Sequence, residues 1–386
     1  MKPLSLLPLL TAFAVIQAQD LNVQTVDRRA LNPPTDFDRA RFQVFNPELA
    51  SAILGDSPTL TQLVYSPGYA FAHEAPVYFP DEDAIYFCSD AGGPLGRSNA
   101  TTNNKVFKAV LSNLEAKAGN ATFEEDVEEV VIDNAGVQMT NGGTNYDGKL
   151  LLVNSGRTLD YPGSLALVDR SDPKSVQVLL NNVVGKQFSA PNDVVVHPVT
   201  GAIFFTDAWY AQTQLFRPYV ELPLSVWRLD PNTGAIQAMT DPSMVKVPNG
   251  LAFSPDGSKM YVADTGAAKG GDFAVEGNAT SSIYEFDLVQ SGGTQRLSNR
   301  RVFSWVQTGI ADGIKVDTEG NVYSATGDGV QVWTKDGEEI LKIFLPQGSV
   351  NLAFANDGRL VITSNERIWL AKIKANGPAL WELPSK

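Results

Sequence analysis

The sequence predicts an all-β chain folded as a six-bladed β-propeller. Three observations predict it. Six segments repeat one pattern, a polar opening, a short apolar strand, a tight turn and a second β-rich strand. Their openings are 66, 52, 57, 63 and 38 residues apart, too long for one hairpin and right for a four-stranded sheet with variable outer loops. No amphipathic helix longer than three turns interrupts them. A β-sandwich is the competing architecture, but it does not account for a six-fold repeat.

The elements follow in order. Residues 1–18 carry Lys2, an apolar run from Leu4 to Ile16 and a small residue at Ala18. That is the pattern of a secretory signal peptide, too short to span a membrane, and it predicts a secreted, extracellular protein. Residues 19–65 form an N-terminal segment with no copy of the repeat. Within it RFQVFNPEL (41–49) either lies outside the ring or supplies a strand that closes the last blade. The propeller domain is expected over 66–386.

The six repeats begin at Glu74 (EAPVYFPDEDAIYFCSD), Thr140 (TNGGTNYDGKLLLVNSG), Asn192 (NDVVVHPVTGAIFFTDA), Asn249 (NGLAFSPDGSKMYVADT), Asp312 (DGIKVDTEGNVYSATGD) and Val350 (VNLAFANDGRLVITSNE). Their turns include Tyr-Asp-Gly at 146–148, Pro-Asp-Gly at 255–257 and Asn-Asp-Gly at 356–358, and Asp-Gly supplies the positive φ of a tight hairpin. The second strands, such as LLLV, IFFT and LVIT, are rich in aliphatic and aromatic residues.

In a closed ring, equivalent positions point at one axis. The six openings are Glu74, Thr140, Asn192, Asn249, Asp312 and Val350. Glu74, Asn192, Asn249 and Asp312 are oxygen donors that converge on the channel mouth, and such a set is a cation site. Two carboxylates and two carboxamides without His or Cys favour Ca²⁺, with another hard divalent cation as the alternative. Calcium takes about six to eight ligands, so four leave room for water and a substrate oxygen. The competing view is that Asn249 and Asp312, each followed by Gly, are turn residues, and that Glu74 and Asn192 are rim polars.

Asp90, Asp207 and Asp264 echo the donors 15 or 16 residues later, at the ends of second strands. Their regularity predicts a structural role, capping loops on the same face. Trp209 and Tyr210 follow Asp207 and are candidates for the substrate rim. His73, beside Glu74, is a further candidate for the substrate site, although neighbouring strand residues point oppositely and favour packing.

Composition closes other routes. The net charge of −13 argues against nucleic acid or anionic membrane as partner. Cys88 is the single cysteine, so no disulfide forms within the chain, and its apolar strand marks it as a buried thiol. Only His73 and His197 exist, His197 sits in a turn, and no G-x-S-x-G is present, which leaves a Ser-His-Asp hydrolase little to work with. Sequons at Asn99, Asn120 and Asn278 predict glycosylation on surface loops.

At EAPVYFP (74–80), APNDVVVHPVTGAIFFTD (190–207), VPNGLAFSPDGSKMYVADT (247–265) and ADGIKVDTEGNVY (311–323) the chain resembles the senescence-marker-protein/gluconolactonase-like family of six-bladed propellers, and with its leader it looks like a secreted fungal-type lactonohydrolase. The resemblance covers about 66–370. It implies metal ligation by Glu74, Asn192, Asn249 and Asp312, a general-base role for Asp312, and hydrolysis of sugar lactones or related esters. Paraoxonase relatives share the ring. Ala75 stands where they carry an acid, so their second, structural calcium is not expected with the same ligands. The resulting expectation is a calcium-dependent lactonase acting on a gluconolactone- or pantolactone-like small molecule. Two alternatives are a non-catalytic secreted binding propeller and a metal-independent propeller of the strictosidine synthase type.

Overall fold

Second strands that read as unbroken apolar runs are strands buried on both faces. In Ile203–Ala208, Phe205 packs with Leu151 and Val153 of the preceding repeat. Its neighbour Phe204 points the other way, against Met260 and Val262 of the next repeat. Each sheet is thus sandwiched between two others, and the only closed arrangement of such sheets is a ring. The computed structural model describes residues 23–26, 40–219, 221–269, 274–275 and 279–378. It is an all-β, six-bladed β-propeller. The leader at 1–18 and the sequon Asn278 lie outside the described residues.

The inner strands are Glu74–Phe79, Thr140–Tyr146, Ala190–Val196, Pro248–Phe253, Ile314–Val316 and Asn351–Ala355. Each neighbours the next around the axis, and the sixth returns to the first. Three antiparallel strands follow outward in each of the first five blades. Asp147-Gly148 and Asp357-Gly358 both take positive φ at their two positions (53° and 70°, 63° and 68°), the backbone of a two-residue hairpin turn.

The sixth blade takes its outer strand from the other end of the chain. Thr59–Tyr65 pairs antiparallel with Arg367–Lys372 and closes the ring. Arg41–Val44 does something else: it adds to the outer edge of the fifth blade, against Glu339–Phe344. Val23–Thr25 then pairs parallel with it. The helix Pro47–Leu54, capped by Asn46, buries Ile53 and Leu54 beside these strands.

Closure is reinforced by charge. Arg359 of the sixth blade donates to Asp83 Oδ1 (2.7 Å) and Tyr78 OH (3.1 Å) of the first, and to Glu115 Oε1 (3.1 Å). Cys88 is a buried free thiol. His197 braces its turn, accepting from Val199 N (3.2 Å) and Thr200 N (3.0 Å) at Nδ1. Among the described residues no helix is long and apolar enough to cross a membrane.

Candidate active site

The inner strands break register near their first residues. The pairing shifts between Glu74 and Val77, Thr140 and Gly143, Pro191 and Val194, and Pro248 and Leu251. Two residues there oppose one, which is a β-bulge, and a bulge re-aims the side chains it carries. The first bulged residues of blades two, three and four are Asn141, Asn192 and Asn249. Asp312 stands two before Ile314, as Asn249 stands two before Leu251. All four line one cavity of about 280 Å³ at a mouth of the central channel, together with Glu74.

Blade one reaches the cavity differently. Glu74 lies one residue ahead of its bulge, and Ala75 after it has φ 53°, a left-handed backbone rarely taken by a residue with a Cβ. The structure therefore brings Glu74, Asn192, Asn249 and Asp312 together, but through two backbone registers rather than one.

Blade two corrects the repeat alignment by one residue. Thr140 turns its hydroxyl away from the cavity, to Asn154 Oδ1 (2.8 Å). Asn141 takes the cavity position instead. The signal was present in the sequence: Asn141-Gly142 matches Asn249-Gly250 and Asp312-Gly313. In blade six Val350 lines the cavity without a donor, and Asn351 supplies its amide, Nδ2 donating to Glu74 Oε2 (2.6 Å).

The electrostatics are those of buried acids whose burial outweighs the nearby positive charge of Lys315 and His73. Burial drives the Glu74 carboxyl well above its usual range, and the neighbouring charges of Asp312 and Asp193 push the same way. Asp312 is pushed up to about 7, chiefly by burial, against the opposing pull of His73 and Asn249. Asp193, just below, is raised by burial although Lys315 opposes it. Lys315 itself donates to Asn351 Oδ1 (3.3 Å).

Three oxygens in the cavity wall, Asp90 Oδ1, Asn141 Oδ1 and Asn192 Oδ1, are buried with no hydrogen-bond partner. A buried acceptor without a donor is costly, and either a cation or a hydroxyl donor of a ligand relieves it. Among the described residues no three His, Cys, Asp or Glu side chains gather as a metal cluster. The donor set here is two carboxylates and two carboxamides, all hard oxygen, and its residues fit Ca²⁺ rather than zinc.

Tyr210 opens the short helix Tyr210–Thr213 and lines the cavity. Its hydroxyl sits between Thr265 Oγ1 and Asn249 Nδ2, the latter at 3.0 Å, and fixes the Asn249 amide. Trp209 does not line the cavity; it packs on Ala208, Tyr210 and Val247 because the helix start turns it aside. His73 does line it, contrary to the packing role that strand alternation favours. Its Nδ1 meets Asn365 Oδ1 at 2.7 Å, and its Nε2 lies 3.6 Å from Asp90 Oδ1.

The sequons Asn99 and Asn120 are both exposed. Asp207 and Asp264 cap loops as expected: Asp207 accepts from Ser189 N (2.9 Å) and Ala190 N (2.7 Å), Asp264 from Lys246 N (3.0 Å) and Val247 N (3.1 Å).

The model of the SMP-30/Gluconolactonase/LRE-like region matches residues 72–366, from the residue before His73 to the last blade. The chain belongs to this family. Lactonohydrolase oryL of Aspergillus oryzae is 30% identical over 355 residues, covering 86% of this chain and 74% of the relative. A gluconolactonase of Zymomonas mobilis is 29% identical over 199 residues, half of each chain. Among solved structures, a gluconolactonase from Xanthomonas campestris superposes with a TM-score of 0.65 at 27% identity, covering 86% of this chain and 93% of the other. This SMP-30/gluconolactonase-family propeller is thus similar to lactone-hydrolysing enzymes along most of its ring.

Proposed function

We propose that this protein is a secreted, calcium-dependent lactonase that opens a gluconolactone- or pantolactone-like ring to its hydroxy acid. The observation that carries the reading is the convergence of Glu74, Asn192, Asn249 and Asp312 in one cavity, two of them buried carboxyls held above their usual range. The lactonohydrolase and gluconolactonase relatives support the substrate class.

When bound, a hard divalent cation supplies Lewis-acid stabilisation for charge developing on a carbonyl oxygen. The residues do the rest. Asn351 holds one Glu74 oxygen by its amide, which fixes the carboxylate plane. The Tyr210 hydroxyl accepts from Asn249 Nδ2 and so holds that amide in turn. Asn192 offers its oxygen without competition from any protein donor. Asp312, a buried carboxyl at the cavity wall whose proton affinity burial raises, is placed to take a proton from the attacking water. His73 and Tyr210 bound the space left for substrate.

In this reading the leader at 1–18 directs export, and Asn99 and Asn120 are exposed glycan acceptors. The purified protein is assayed for acid release from gluconolactone and pantolactone with calcium or with EDTA. Calcium-dependent release supports the reading; full activity in EDTA or in Asp312→Ala overturns it.

A further inference from the structure

Asp207 and Asp264 use their carboxylates on backbone N–H groups, but Asp90, the third aspartate of that echo, does not. Strand register explains the difference. Pro191 faces Asp207 and Pro248 faces Asp264, whereas Glu74 faces Cys88. Asp90 therefore lies two residues beyond the capping position. The N–H groups it might have capped find other acceptors: Ala72 N donates to Asn365 O and His73 N to Cys88 O, both at 2.9 Å. Asp90 is left to the cavity, with Oδ1 buried and without a hydrogen bond, and with His73 Nε2 3.6 Å from it.

Asn141, at the inner edge of the next blade, is in the same condition. The two residues belong to one stretch of wall. Asn104 Nδ2 donates to Ser89 O (2.8 Å) and to Thr140 O (2.7 Å), tying together the residues just before each. Asn141 is further set by Cys88, whose thiol reaches Asn141 O at 3.4 Å.

The unpartnered buried oxygens of the cavity are all acceptors. A cation on the ring axis would satisfy Asn192 along with Glu74, Asn249 and Asp312. Asp90 comes from beyond a second strand, outside that ring of inner-strand donors, and Asn141, at the bulge position that Asn192 and Asn249 occupy in the next two blades, is the inner-strand acceptor nearest to it in the fold. Acceptors that remain buried need O–H or N–H donors, and a ligand that brings none leaves them unpaired. A carboxylate beside a carboxamide oxygen suits the adjacent hydroxyls of a polyol.

We propose that Asp90 and Asn141 form a hydroxyl-recognition subsite that selects polyhydroxylated lactone rings over unsubstituted ones. The proposal rests on the lactonase reading for its kinetic form. Sites built to bond a substrate hydroxyl discriminate strongly against the analogue that lacks it.

The test compares kcat/KM for glucono-δ-lactone and δ-valerolactone with the calcium-loaded full chain. The wild-type protein is expected to prefer the hydroxylated ring by about 100-fold or more. Asp90→Ala and Asn141→Ala are each expected to reduce that preference by about 10-fold or more, and Asp90→Asn and Asn141→Asp, each of which keeps an acceptor, to retain most of it. A wild-type protein without the preference, or alanine variants that slow both lactones equally, overturns the proposal. If no lactone is turned over, the lactonase reading fails, and calorimetry decides the subsite alone. The probes are 1,5-anhydroglucitol and tetrahydropyran. Selective binding of the polyol that weakens about 10-fold in both alanine variants supports the subsite; no polyol binding, or binding that the alanine variants leave unchanged, overturns it.

Discussion

Asn351 Nδ2 donates to Glu74 Oε2 at 2.6 Å and joins the last blade to the first at the wall of the cavity. The same asparagine folds its oxygen back onto Leu352 N (2.8 Å) and accepts from Lys315 (3.3 Å). The bond that orients the acid is therefore itself oriented, and ring closure and site geometry meet in one side chain.

Removing that amide is expected to weaken the site without emptying it. Asn351→Ala leaves a buried carboxyl with one donor fewer, so Glu74 holds its proton more firmly. Groups that orient metal ligands typically contribute about 10–100-fold to metal affinity. Calcium titration by calorimetry should show a loss of that size, with the far-UV spectrum of a β-protein retained. An unchanged affinity would show that Glu74 does not ligate.

Asp312 carries two proposed duties, and substitutions separate them. Asp312→Asn keeps an oxygen at the same place but removes the charge and the proton acceptor. Lactone hydrolysis should fall by about 100-fold to 10,000-fold, the usual span for losing a general base. Calcium affinity should fall more steeply in Asp312→Ala than in Asp312→Asn. Equal calcium affinity in the wild type and Asp312→Ala, measured on the metal-depleted protein, would remove the residue from the ligand set.

Ring closure has its own test in Arg359, which lies outside the cavity. Its guanidinium bonds Asp83, Tyr78 and Glu115 across the seam between blades six and one. The Asp83 carboxyl is held below its usual range, with the Arg359 bond opposing the effect of burial. Charge-assisted bonds contribute about 1.5–3 kcal/mol, and the partial exposure of Asp83 and Glu115 places the loss in Arg359→Met at about 2 kcal/mol. Urea denaturation should show it, and Arg359→Lys should recover part. A midpoint that does not move would mean that strand Thr59–Tyr65 closes the ring unaided.

How far the sequence reached follows from what each signal encodes. The alternation of apolar strands and Asp-Gly turns encodes blades, so the six-fold ring was readable. That Glu74, Asn192, Asn249 and Asp312 share one cavity was readable because each opens or precedes a recognisable inner strand. Strand openings alone point to Thr140 and not to Asn141, because a bulge places the cavity residue one position further on. Spacing alone groups Asp90 with the capping aspartates, because it does not record that Glu74 pairs with Cys88. Strand Thr59–Tyr65 lacks the repeat because it is an outer strand, whose pattern is only half of a hairpin.

The buried acids predict how the metal-free protein responds to pH. Asp312 has a folded pKa of about 7 against an ordinary value of 3.8, and Glu74 and Asp193 are raised in the same direction. Between those values the folded state holds protons that the unfolded chain has released. Folding stability from these groups is thus complete below about pH 4 and is lost as pH rises through about 7. In EDTA the unfolding midpoint should fall from pH 5 to pH 8, once the ordinary titration of surface groups is matched with an Asp312→Asn control. Calcium should remove the slope, because a cation takes the place of the protons, and its affinity should rise over the same interval as they are displaced. Midpoints that climb toward pH 8 in EDTA, or a slope that calcium leaves intact, would show that these carboxyls are already ionised and compensated within the fold.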